Sequence, residues 1–123
     1  MHAKIILTLA SMLCVISLNV FAESKNVGQM TNEEYQKVRE SSADYNDCLQ
    51  ESALNHAQSQ PDIRVVADHA MKDCVVHLEE LYQLLVAGGY PPEAMSSFVS
   101  SISNKGANNL IRNLMSYRAS QSQ

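Results

Sequence analysis

Apolar positions recur every three or four residues over most of the chain after residue 30, the signature of amphipathic helices rather than strands. Thr31-Asn32-Glu33-Glu34 opens the first repeat as a capping box, with Thr31 as the cap and Glu34 reaching back. Tyr35, Val38, Ser42, Tyr45, Leu49, Ser52 and His56 then hold a 3–4 spacing, with Cys48 beside the stripe. Only part of this stripe is apolar, so the helix depends on packing partners.

Ser59-Gln60-Pro61-Asp62 breaks the pattern, and a second helix starts at Pro61 or Asp62, where proline suits a first turn. Ile63, Val66, Ala67, Ala70, Cys74, His77, Leu78, Leu81 and Leu85 define its inner face. Val65, Met71, Val75, Val76, Tyr82, Leu84 and Val86 widen its apolar arc, which predicts a central position in a bundle. Gly88-Gly89 ends it.

Tyr90-Pro91-Pro92-Glu93 reads as a rigid connector that also starts the next helix, whose apolar face is Met95, Phe98, Val99 and Ile102. Asn104-Lys105-Gly106 reads as a C-cap and turn, and Ala107 to Tyr117 as a last short helix carrying Leu110, Ile111, Leu114 and Met115. The expectation is all-α: a small bundle of about four helices, with no strand. Residues 31–119 form its single domain, preceded by a flexible leader over 23–30 and followed by a frayed tail over 120–123.

The N-terminal segment follows a different rule. Lys4 precedes an apolar run from Ile5 to Val20, and in Val20-Phe21-Ala22 a β-branched and a small residue stand at −3 and −1 before Glu23. This is the layout of a secretory signal peptide, spanning 1–22 and cleaved after Ala22. The run is short for a membrane span, which needs about 20 residues. Cys14 lacks the small preceding residue of a lipid-attachment site, because Leu13 stands there. The reading is a periplasmic or extracellular protein with no integral membrane span after cleavage.

Cleavage leaves two cysteines, Cys48 and Cys74, in an oxidising compartment where thiols pair. Pro61 stands midway between them. A chain that folds back at Pro61 as an antiparallel hairpin sets the two side by side, close enough for a disulfide. A loop of this size is worth roughly 3 kcal/mol in the chain-entropy description.

Composition sets further bounds. The 123 residues make one domain, and the low Gly (4), Pro (3), Phe (2) and Trp (0) argue against a β-sandwich or barrel. The net charge of −4 becomes −5 without Lys4, which repels a phosphate backbone, so no nucleic-acid partner is expected. Residues 31–60 carry a net −4, whereas 88–123 carry a net +2 from Lys105, Arg112 and Arg118 against Glu93. That basic face reads either as a solvated complement to the acidic hairpin or, with Arg112 and Arg118, as a docking face for an acidic partner or anionic lipid. Tyr90, Pro91 and Pro92 read either as a structural turn or as a rigid feature that a partner recognises.

Candidate chemistry is thin. His69, Asp73 and His77 fall on successive turns of one helix face, and such a set can hold Zn²⁺ or Cu²⁺ when another helix adds a ligand. His56 stands at the height of Val66 in the hairpin and so is not that ligand. The serines at 96, 97, 100, 101 and 103 lack a nucleophile elbow or an S-x-x-K pattern. The carboxylate pairs lie on exposed faces, without the apolar surroundings that raise a carboxyl into the catalytic range. The sequence therefore reads as no enzyme and no resident cofactor. Its leading expectation is an exported helical protein that binds another protein, as an adaptor, secretion accessory factor, inhibitor or immunity protein, or periplasmic chaperone. The alternatives are a metal-binding or metal-sensing helical protein and a secreted effector-like protein.

Overall fold

A computed structural model describes residues 24–123. The signal-peptide reading of 1–22 lies outside the described residues. The described residues form a 3₁₀ turn, Val27–Gln29, and then three long α-helices: α1 (Asn32–Ala57), α2 (Ile63–Ala87) and α3 (Pro92–Gln121). No strand occurs among the described residues. α2 packs most extensively, first against α1 and then against α3, whereas α1 and α3 meet least. This is the central position that the wide apolar arc of α2 predicts.

The capping box forms as read. The Glu34 N–H donates to Thr31 Oγ1 at 3.1 Å, and the Thr31 N–H donates to Glu34 Oε2 at 2.9 Å. At the hairpin bend the Arg64 N–H donates to Asp62 Oδ1 at 2.9 Å, so Asp62 caps α2. Cys48 and Cys74 are disulfide-bonded, with their Cα atoms 5.8 Å apart. α2 closes with a Schellman arrangement: the Tyr90 N–H reaches the Leu85 carbonyl and the Gly89 N–H that of Val86. Gly89 takes the left-handed conformation this requires, at φ +97°.

Among the described residues, the expected count of four helices is corrected to three. Asn104-Lys105-Gly106 is not a stop, because α3 runs through it without a break as far as Gln121. Gly106 is instead buried where α3 crosses α1. A Cβ there would stand 2.9 Å from Tyr45 Cε1, 3.0 Å from Leu49 Cδ1 and 3.1 Å from Asn46 Oδ1. The residue is glycine because the helices approach closely, not because the chain turns.

Two apolar clusters fill the bundle. Tyr45, Leu49, Val66, Ala70, Cys74, Leu78, Leu110 and Leu114 centre the half nearer the hairpin bend. Met30, Leu81, Leu85, Tyr90 and Met95 fill the half nearer the α2–α3 turn. Each fully buried leucine contributes about 1.5–3 kcal/mol relative to exposure. The described part of the leader joins the second cluster. Met30 is buried there, and the Lys25 N–H donates to the Gly89 carbonyl at 3.2 Å.

Candidate functional site

The antiparallel course of α2 and α3 leaves an apolar groove of about 550 Å³ between them, and at one end Ser103 Oγ also lies 3.3 Å from the Tyr45 hydroxyl of α1. α2 supplies Val75, Leu78 and Tyr82, with Glu79 and Gln83 at the rim. α3 supplies Val99 and three hydroxyls, Ser96, Ser100 and Ser103. Their 4–3 spacing puts the serines on one helix face, a wall without bulk that leaves the apolar floor open. Val75 is 43% exposed, well above what a core valine shows. The pattern of α2 places Val75 and Tyr82 outside its inner face. The serine cluster reads in sequence only as the polar side of a helix, and its place opposite Val75 emerges with the fold.

A second cleft, of about 480 Å³, lies at the hairpin bend, where Leu54 and Tyr117 are exposed. Three of its polar side chains, Gln60, Arg118 and Ser122, are engaged in hydrogen bonds. Arg118 donates to the Pro61 carbonyl and, at 2.6 Å, to the Gln60 carbonyl. Arg118 therefore ties the C-terminal turns of α3 to the bend. Arg112 is exposed and bonded to Asn109 on its own helix.

Tyr90 faces inward. It is 2% exposed, and its hydroxyl donates to Glu34 Oε2 at 2.8 Å. Lys25 completes the cluster. Its Nζ lies 3.5 Å from Glu34 Oε1. The same Nζ lies 5.5 Å from the centre of the Tyr90 ring, within cation–π reach. This placement takes Tyr90 off the accessible surface, while Pro91 is half-buried and Pro92 exposed. The Thr31 N–H, then the Tyr90 hydroxyl, hold the pKa of the Glu34 carboxyl down to about 2. Burial and then the hydrogen bond to Glu34 push that of Tyr90 up to about 12.

Glu34 is depressed on folding, so its stabilisation is complete above its ordinary value of 4.5 and drains away as pH falls toward 2. Tyr90 is raised, so its contribution is complete below its ordinary value of 10 and is lost as pH climbs toward 12. Glu34→Gln is expected to lower stability at neutral pH and to flatten the stability profile between pH 4.5 and 2. Urea titrations across that range check it, and an unchanged slope would contradict the role given to Glu34.

His56 of α1 meets two of the candidate metal residues, Asp73 and His69. Asp73 Oδ2 accepts from Ser52 Oγ at 2.6 Å and lies 2.8 Å from His56 Nε2. Ser52 and then His56 lower the Asp73 carboxyl below its usual range. His56 in turn stacks on His69, ring centres 4.9 Å apart. His77 is half-buried on the next turns of α2. Among the described residues, no three His, Cys, Asp or Glu side chains gather into a group that could hold a metal ion.

Equal height in the hairpin pairs His56 with Val66, yet His56 meets Asp73, about two helical turns further along α2. The reason is side-chain tilt. Each Cα–Cβ bond leans toward its own helix N-terminus, so His56 leans away from the bend and Asp73 toward it. Level pairing locates the cysteines but misses such diagonal pairs of longer side chains.

Comparison with protein-family models, with curated proteins and with solved structures finds no match to this chain. Among the described residues, no helix is long and apolar enough to cross a membrane.

Proposed function

We propose that this chain is an exported helical protein that works by binding another protein, with the α2–α3 groove as its contact surface. The groove is the observation that carries the reading. A floor of Val75, Leu78, Tyr82 and Val99 edged by hydroxyls, the Gln83 amide and the Glu79 carboxylate has the make-up of a recognition groove: apolar anchoring surface plus a few orienting polar groups. The disulfide and the tied-down hairpin bend support a rigid scaffold, which lowers the ordering cost of binding. The disulfide and the pattern of residues 1–22 support export to the periplasm or beyond. Within this class, the roles compatible with a small rigid binder are adaptor, secretion accessory factor, inhibitor or immunity protein, periplasmic chaperone, or a secreted effector-like protein.

The metal-binding alternative has less support, because Asp73 is already engaged by Ser52 and His56. Titration of Zn²⁺ and Cu²⁺ with melting temperature as readout separates it from partner binding.

Val75→Asp and Ser100→Arg place a charge in the groove at exposed positions. Each is expected to change stability by no more than about 0.5 kcal/mol and to abolish partner capture by the affinity-tagged protein in its native host. Capture that survives both substitutions would contradict the groove as the contact surface.

A further inference from the structure

The disulfide is asymmetric. Cys74 is 0% exposed within the core, whereas Cys48 is only partly buried. A cleft of about 290 Å³ opens on the Cys48 half of the bridge, lined also by Glu51, Ser52, Asn55, His56 and Asp73. Two of those groups are carboxylates and none is a Lys or Arg. Asp73 keeps its charge, because hydrogen bonds from Ser52 and His56 favour the ionised form.

We propose that this cleft is the entry site for thiol–disulfide exchange, that exchange starts at Cys48 alone, and that the site takes cationic or neutral thiols and rejects anionic ones. A thiolate in the cleft attacks Cys48 Sγ. A mixed disulfide forms there as the Cys48–Cys74 bond breaks, and the electron pair leaves on Cys74 Sγ. A second thiolate attacks the adduct sulfur and releases the small disulfide. Two thiols are thus oxidised to one disulfide, the bridge gains two electrons, and the two thiol protons end on Cys48 and Cys74.

Two features slow this sequence, the first for an anionic thiol such as glutathione and the second for every thiol. Glu51 and Asp73 repel the incoming charge, and the leaving thiolate of Cys74 is generated in an apolar surround that solvates it poorly. The bridge therefore withstands small anionic reductants and stays open to a cationic thiol or to a protein thiol presented on a basic face.

The test uses three small thiols of different charge: cysteamine, 2-mercaptoethanol and 2-mercaptoethanesulfonate. Exchange is run at about pH 8 and low salt, above the ordinary imidazole range, on the folded protein and on the same protein in denaturing urea. The rate ratio of cysteamine to the sulfonate, each corrected for its thiolate fraction, is expected to be about tenfold larger for the folded chain, as nearby unit charges at low salt dictate. High salt and Glu51→Lys should each shrink that ratio. Peptide mass mapping of the quenched intermediate should place the adduct on Cys48. An equal ratio for folded and unfolded protein, a ratio untouched by Glu51→Lys, or an adduct on Cys74 would overturn the proposal.

Discussion

Cys48→Ser and Cys74→Ser are each expected to lower stability by about 2–4 kcal/mol, and the double variant by no more than either single one. The bridge closes a sequence separation of 26 across the bend. Without it the unfolded chain regains the freedom of a long loop, while the folded hairpin keeps its other contacts. The loss is large against the roughly 5–15 kcal/mol typical of a whole domain. Steady-state levels of the variants should fall as the unfolded fraction is degraded. Urea unfolding of the parent with and without reductant checks the same quantity. A reduced parent as stable as the oxidised one would contradict the weight given to the bridge.

The second large effect is expected at Gly106. Alanine there gains helix propensity of roughly 1 kcal/mol, but its Cβ enters the space beside Tyr45, Leu49 and Asn46. The two effects oppose each other, so Gly106→Ala should lie between neutrality and about 2 kcal/mol of destabilisation. Gly106→Val adds two further carbons into the same contact and should cost about 2–3 kcal/mol. Thermal and urea denaturation of the pair decide the matter. If both variants are more stable than the parent, the close α1–α3 crossing is wrong.

Gly106 also shows where the sequence misleads. Asn104-Lys105-Gly106 has the composition of a helix end, and local chemistry alone places a C-cap there. The decisive facts are the side chains of Tyr45 and Leu49 on α1, far upstream, which no local window contains. Gly88-Gly89 carries the same signal and does end its helix, because Gly89 adopts positive φ and Tyr90 packs back toward Leu85. Tyr90 itself is legible as a special aromatic in a rigid turn. Its partner, the capping carboxylate Glu34, stands at a sequence separation of 56 and turns the residue inward. The hairpin register, by contrast, is open to reading, because Pro61 bisects the interval between the cysteines and helix geometry does the rest. The groove lies between these cases. Its α2 wall shows in the wide apolar arc, and its α3 wall only once antiparallel packing sets the serines opposite Val75.

The most direct test of partner binding through the α2–α3 groove is site-specific photo-cross-linking in the native host. A photoreactive residue is introduced at Val75, and for comparison at Glu40, which is exposed on α1. The groove position should yield a discrete protein adduct whose yield collapses when Ser100→Arg is present, while the Glu40 position yields none. Adducts of equal yield at both positions, or none at Val75, would contradict the groove as the working surface of this protein.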